Sequence, residues 1–499
     1  MAGRRAKRTA APQRRRLPTR TKIVATLGPS SRRAGKIREL IRAGVDVFRF
    51  NFSHGTHEEH GQAIREVRRM ARLEGVPVAI LADLQGPKIR IGPLRGAEPI
   101  WLDRGDKLDL VCEEGFVGHP GEVGCTYPDL CTDVSRGDRL LLDDGSIELR
   151  VEKVEQKRIR TKVRFGGILR QHKGVNLPGT SIHAPSLTEK DLFDLGFALT
   201  NEVDFVALSF VRGPEDVRQL ADRIRDFGSD ARIVAKIERP EAVKRFDEVL
   251  EVSDAIMIAR GDMGVELGPE AVPAVQKEII RKCIQAGKPV ITATQMLESM
   301  TQNPRPTRAE VSDVANAILD GTSALMLSAE TASGRHPVRA VRVMDRIART
   351  TESEMFPSSR LPGRRISDLR RFRRHGAEAL SIEEATVSAA AKAALEVDAE
   401  AVVVFTETGK TPGLMARERI PTRILALTSS YRAFSRMALS WGVVPVLTRK
   451  ARSVEQMFRI GEERVLDLKH LRPGDRVVFI AGTMQVSGAT NTVTIRRIG

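Results

Sequence analysis

The chain has 499 residues, of which 41% are hydrophobic and 4% aromatic, and a formal net charge of +17. Such a length exceeds one hydrophobic core, so two or three domains are expected, and no apolar run is long enough to span a membrane. The charge does not describe a nucleic-acid-binding body: residues 1–20 carry +8 and residues 357–376 carry +6, so only +3 of the +17 falls on all the rest.

The tail MAGRRAKRTAAPQRRRLPTR has no apolar centre of the kind a signal peptide needs, so a cytoplasmic protein is expected. Like-charged runs read as a solvated tail (1–20) and a solvated linker (357–376), with weak, salt-sensitive attraction to polyanions. Cys112, Cys125, Cys131 and Cys283 include no CxxC pair and have no His partner at zinc spacing, so reduced structural thiols are expected.

TKIVATLG (21–28) reads as a buried strand, and SSRRAGKIRELIRAGV after it has helical spacing with Ser30 or Ser31 as N-cap. VDVFRFNFSHG (45–55) is a second strand ending in Arg49, Asn51, Ser53 and His54, followed by the amphipathic EEHGQAIREVRRMARLEG. PVAILADLQGPKIRIG (77–92) is a third, ending in Asp83, Lys88 and Arg90. Repetition of strand and helix predicts right-handed parallel crossovers. At residue 92 the rhythm stops. Residues 92–181 hold short alternating runs between Gly, Pro and Asp turns, with no helix evident, and predict a small all-β insertion in which Asp143, Asp144 and Gly145 turn a hairpin. The rhythm resumes at SLTEKDLFDLGFALT, where Ser186 and Glu189 form a capping box. The strands DFVALSF (204–210), RIVAKIE, DAIMIARGD, PVITATQ (289–295) and SALMLSAE (323–330) follow. Three strands before the insertion and five after it predict a (β/α)8 barrel from residues 21–91 and 182–356, with 92–181 inserted. Beyond the linker, residues 377–499 read as a separate open-sheet α/β domain.

The chemistry gathers at two strand ends. IVAKIERPE (233–241) closes on Lys236 and Glu238, and DAIMIARGDMG (254–264) on Arg260 and Asp262. Charges just past a buried parallel strand stand where a barrel places its active site. Lys236 and Glu238, two residues apart on a strand, face the same side. Two acids converging with one Lys suit a divalent cation, a phosphoryl group and a developing anion; solvated salt bridges at strand ends are the plain alternative. Arg260, Gly261 and Asp262 open a helix-like segment whose backbone N–H groups suit an anion. FTETGKT (405–411) has the same strand, glycine turn and helix order and reads as a phosphate site.

FNFSHGTHEEH, GPKIR, KGVNLPG, AKIERPEAV, ARGDMGVE, ATQMLESM and PRPTRAEVSDVANAILDGTSALMLSAET, in this order and spacing, resemble the signatures of the pyruvate kinase family over nearly the whole chain after the tail. The resemblance implies phosphoryl transfer from phosphoenolpyruvate to ADP, with Glu238 and Asp262 holding Mg2+ or Mn2+ and Lys236 stabilising the transferring group and the enolate. It implies that Arg260, Gly261, Asp262 and Thr294 receive the substrate, Thr294 also serving the proton path. Arg49 and Arg90 would contact phosphoryl oxygens, and Asn51, His54, Arg90 and Lys173 the nucleotide. With Lys173 supplied by residues 92–181, that insertion would act as a lid, and residues 377–499 as a regulatory domain. A homotetramer and a sugar-phosphate or nucleotide effector on Thr406, Glu407, Thr408, Gly409, Lys410 and Thr411 are implied too, with the SGATNT loop (487–492) at the other end of the effector site.

Two positions depart from the commonest family pattern. Members that need K+ hold it with residues matching Asn51, Ser53, Asp83 and Leu84 and carry Glu where this chain has Lys88. A Lys ammonium can stand where K+ would and repels it, so no K+ requirement is expected; Leu84, Gln85 and Ile91 match the independent members. Glu407 puts a negative charge inside the effector loop, which leaves the effector's identity open. Other readings are a barrel lyase or aldolase using Mg2+ and an enolate, and a nucleic-acid-binding protein on an inactive barrel. KGVNLPG, Arg49 and Arg90 argue against the first, and the complete set of matched catalytic positions against the second.

Overall fold

The computed structural model describes residues 18–113, 115–180, 185–356, 380–451, 453–467, 471–482 and 490–499. Most of the basic tail, the whole linker 357–376 and part of the SGATNT loop lie outside the described residues.

Eight parallel strands close a barrel: Lys22–Thr26, Val47–Asn51, Ala79–Asp83, Phe205–Leu208, Arg232–Ile237, Ala255–Ala259, Val290–Ala293 and Ala324–Leu327. The first pairs with the last, Val24 opposite Met326, and completes the ring. Alternate residues of each strand serve two cores. Val24, Val47, Leu81, Val234, Met257, Ile291 and Met326 fill the inside, while Ile23, Phe48, Ile80, Ile256 and Leu325 face the surrounding helices. Both faces are therefore dry, and the strands read as unbroken apolar runs.

Two helix starts differ from expectation. The first helix, Ala34–Ala43, has Arg33 at its N-cap without a side-chain bond. Ser31 stands too early to cap it, and its Oγ accepts the Gly28 N–H at 3.1 Å instead. The helix Glu189–Thr200 is capped by Thr188 and Asp191 rather than by Ser186 and Glu189. Two overlapping boxes were available in SLTE and TEKD; the extended backbone of Thr188 selects the later one, and Ser186 Oγ bonds Gln219 at 2.8 Å.

The insertion leaves the barrel after the third strand. It carries a six-stranded sheet and a two-stranded ribbon around an apolar core that includes Ile91, Leu108, Leu140, Leu149, Ile159 and Val163. It also contains the one-turn helix Leu130–Asp133, where no helix was expected. Asp143, Asp144 and Gly145 take φ of 53°, 53° and 87° and join Arg139–Leu142 to Ile147–Glu155, the positive φ values a tight hairpin needs.

The C-terminal α/β part is a separate compact unit. Its five-stranded sheet runs Val443–Leu447, Arg423–Thr428, Ala401–Phe405, Arg476–Gly482, Thr490–Arg497, with only the last pairing antiparallel. Among the described residues, no helix is long and apolar enough to cross a membrane.

Candidate active site

Lys236 lies at the end of the fifth barrel strand, where the backbone alternation turns it and Glu238 to one side. Its Nζ stands 2.9 Å from Glu238 Oε1 and 3.4 Å from Asp83 Oδ1, and donates to Ser209 Oγ at 2.7 Å. Asp83 also takes the Arg49 Nε at 2.6 Å, and Arg49 reaches Thr26 Oγ1 at 3.1 Å. Burial works against the Lys236 charge, but Asp83 and Glu238 outweigh it and hold the ammonium above the ordinary lysine range. Burial likewise opposes ionisation of Asp83, which Lys236 and Arg49 overcome, so its carboxyl lies below the usual range. Glu238 goes the other way: burial raises it, Asp262 adds to the push and Lys236 opposes it.

Glu238 Oε2 accepts the Phe210 N–H at 2.7 Å, whereas buried Oε1 has the nearby Lys236 ammonium but no well-aligned hydrogen bond. That spare oxygen, together with Asp262, fits a hard divalent cation. Among the described residues no group of three or more His, Cys, Asp or Glu is placed so that it could hold a metal ion. Two carboxylates would suffice for a cation such as Mg2+, whose shell substrate oxygens and water complete.

Asp262 belongs to the helix Arg260–Leu267, directly after the sixth strand. The Gly261 N–H is held by Thr294 Oγ1 at 2.8 Å, and that hydroxyl donates to the Ala293 carbonyl at 2.6 Å. Thr294 has a φ of 67°, Gln295 of 54° and Phe210 of 55°. For a β-branched residue this is a strained conformation, and all three lie at the mouth of the barrel. The Arg260 guanidinium faces away from any substrate role, since it bonds the Thr294 carbonyl at 2.7 Å and Asp313 at 2.9 Å. Only its backbone can serve a ligand.

Lys88 pairs with Asp262, Nζ to Oδ1 at 3.8 Å, rather than with Asp83. Of the residues matching a monovalent-cation site, Asn51 Oδ1 takes the Ser53 N–H at 3.2 Å and the Leu84 carbonyl takes Ser209 Oγ at 2.7 Å. His54 is pushed below the ordinary histidine range by burial and by Arg90, Arg49 and Lys88, so the structure gathers these cations around one cleft. Arg90 donates to the His172 carbonyl at 3.0 Å. Lys173 is drawn 2.8 Å from Asp143 of the hairpin turn, which gives that turn a second task.

In the C-terminal unit, Gly409 has a φ of 86° and opens the helix Lys410–Arg417. Thr406 Oγ1 takes the Gly409 N–H at 2.9 Å, Thr408 Oγ1 takes the Lys410 N–H at 3.4 Å, and Glu407 accepts from Ser429 Oγ at 3.1 Å. Lys410 and Thr411 are both tied to Glu383 at 2.7 Å. Residues 487–489 of the opposite loop lie outside the described residues, and Thr490 reaches Thr411 at 3.0 Å.

Sequence reading missed Ser209 and Phe210, although they close the fourth strand, DFVALSF, at the same mouth as the other site residues. It also missed Asn176, Arg239, Glu266 and Asp313, for which no local pattern gives a signal.

A family model for the barrel domain of pyruvate kinase matches residues 18–341, and one for its alpha/beta domain matches residues 384–496. A pyruvate kinase of Sporosarcina psychrophila is 43% identical over 484 residues, covering 96% of this chain and 80% of the relative. One of Clostridium acetobutylicum is 40% identical over 479 residues, covering 96% of this chain and 99% of the relative. The crystal structure of a pyruvate kinase from Cryptosporidium parvum aligns with a TM-score of 0.89 at 34% identity, covering 96% of both chains. Both halves of the chain match over nearly their full length, and so it belongs to the pyruvate kinase family of phosphotransferases.

Proposed function

We propose that this chain moves the phosphoryl group of phosphoenolpyruvate to ADP, with Mg2+ or Mn2+ held by Glu238 and Asp262 and with no requirement for K+. The observation that carries the reading is the buried Lys236 ammonium, fixed by Glu238, Asp83 and Ser209 at one strand end. A buried cation with its charge secured is preorganised for the negative charge that grows on the phosphoryl and enolate oxygens as the bond breaks. The divalent cation, when bound, supplies Lewis-acid neutralisation of those oxygens.

Arg49 and Arg90 then present planar donor forks to the phosphoryl oxygens. The Gly261 N–H exchanges the Thr294 hydroxyl for the substrate carboxylate. Freed from that bond, the Thr294 hydroxyl turns toward the enolate and serves the proton path that yields pyruvate. Asn51, His54 and Lys173 hold ADP, and closure of the insertion over the cleft excludes water. Family likeness adds a cytoplasmic homotetramer and an allosteric effector carrying phosphate on Thr406–Thr411.

The proposed independence from K+ rests on the Lys88 charge in this cleft and not on a contact with Asp83. Lys88 is a fixed cation beside Asp262, within electrostatic reach of His54. The test follows pyruvate formation from phosphoenolpyruvate, ADP and Mg2+, with K+ and then with tetramethylammonium in its place. Rates agreeing within about twofold are expected, with a K+ requirement appearing in Lys88→Glu. Turnover confined to K+ in the parent enzyme would keep the reaction and refute the role of Lys88.

A further inference from the structure

We propose that Asp313 and Arg260 form a positioning clamp that holds Thr294 in its left-handed conformation and so sets the carboxylate and proton-delivery end of the site. The proposal rests on the role given to Thr294 above. Arg260 spends its donors on the backbone of this one loop. Nε lies 3.3 Å from both the Ala293 and the Thr294 carbonyl oxygens, and a terminal nitrogen lies 2.7 Å from the Thr294 oxygen. Its other terminal nitrogen is braced by Asp313, 2.9 Å from Oδ1 and 2.7 Å from Oδ2. The guanidinium is only 9% exposed, so its charge depends on that brace.

The loop needs such a clamp. Thr294 at φ 67° and Gln295 at φ 54° are conformations that non-glycine residues leave unless something holds them. The helix Arg308–Asp320 supplies the hold at two points. Thr307 and Glu310 close its N-terminus in a capping box, which fixes the helix end. Glu310 also takes the Ser299 N–H at 2.7 Å, further along the same loop, and Asp313 lies one turn on. With the backbone pinned at its carbonyl, Thr294 needs only a side-chain rotation to exchange its bond with the Gly261 N–H for one to substrate. Losing the clamp leaves the strained backbone free to relax, which displaces the hydroxyl and the Gly261 N–H together. Displacements of this order cost up to about a hundredfold in rate.

Asp313 is 40% exposed on a helix surface, so replacing it leaves the core intact. The experiment compares Asp313→Asn, Asp313→Glu and Thr294→Val in the full chain, measuring kcat, each KM and the solvent deuterium isotope effect on kcat. For Asp313→Asn the expected result is a kcat lower by roughly tenfold, a raised KM for phosphoenolpyruvate, an unchanged KM for ADP and a larger isotope effect, with Asp313→Glu restoring most of the loss. Parent-like kinetics in Asp313→Asn, while Thr294→Val is impaired, would overturn the clamp and leave the Thr294 role standing. Equal rises in both KM values with no rescue by Glu would also overturn it, as a merely structural role. Should Thr294→Val itself keep parent kinetics and isotope effect, the reading of Thr294 fails, and the clamp has nothing to position.

Discussion

Lys236 is charged in the interior because Asp83 and Glu238 are there to hold it, and Lys236 in turn helps hold the Asp83 carboxyl below its usual range. Both carboxylates are 1% exposed and Lys236 is 12% exposed, so none of the three is solvated enough to stand alone. Removing one member of a buried ion group strands the others, at a cost of about 3–5 kcal/mol. Lys236→Met is therefore expected to do two separable things. It should lower kcat by about 10²–10³-fold, as loss of a preorganised electrostatic donor does, and it should lower the unfolding temperature at neutral pH. Adding Asp83→Asn should recover part of the stability and none of the activity. Calorimetry and steady-state kinetics on the single and double variants test this; a double variant as unstable as the single one would refute the coupling. Burial opposes the charge in all three groups, and the sign of the outcome differs between Asp83 and Glu238 only through their neighbours. Motif spacing pointed to Lys236 and Glu238 but could not give that balance. It depends on Arg49, Ser209 and Phe210, which come from other strands.

Between elements, a buried polar seam ties the lid to the barrel. Asn176, on the lid's return strand Val175–Asn176, donates to Glu266 Oε1 at 3.2 Å, and Glu266 sits on the helix that carries Gly261 and Asp262. Arg239 joins the same oxygen at 3.4 Å and holds the Thr180 carbonyl, on the segment leaving the lid, at 3.1 Å. A hydrogen bond to a charged group contributes about 1.5–3 kcal/mol, which corresponds to roughly ten- to a hundredfold in the closure equilibrium. Asn176→Leu is thus expected to raise the KM for ADP and to speed amide exchange over residues 175–180, without lowering overall stability much. If exchange there is unaltered while ADP binding weakens, the seam is not what holds the lid. None of this seam was legible beforehand. The eight strands were, because each is a short apolar run ending in charge, and the hairpin was, because Asp-Asp-Gly has few other uses. A seam built from single Asn, Arg and Glu residues far apart in sequence has no period to betray it. The capping box before Glu189 failed for a different reason, since two overlapping candidates satisfied the same rule.

Over the whole molecule, the barrel separates its ends by task. Strain and the charges proposed for catalysis lie at the C-terminal ends of the strands, and charges at the N-terminal ends bear on stability. Asp46, just before the second strand, is the clearest of these. Its Oδ2 takes the Ile23 N–H at 2.9 Å and its Oδ1 lies 3.9 Å from the buried Lys22 ammonium. Burial pushes its carboxyl up to about 6, against Lys22 and the Ile23 N–H, with Asp345 and Glu352 adding to the rise. The folded state therefore binds a proton that the unfolded chain, with an ordinary carboxyl near 3.8, has already released. Stability from this group is full below the unfolded value and is lost as pH rises from about 4 through about 6, a loss of about 3 kcal/mol by pH 7.5. Asp46→Asn keeps a carbonyl for Ile23 and has no charge to bury. It should be more stable than the parent at pH 7.5 by about 1–3 kcal/mol, the lower figure allowing for the counter-charge withdrawn from Lys22, with the advantage shrinking to about a third near pH 4.5. Urea unfolding of both proteins at the two pH values measures it. A variant that is destabilised equally at both would mean that Asp46 is ionised in the fold and works as the partner of Lys22, and the N-terminal end would then owe its stability to that pair.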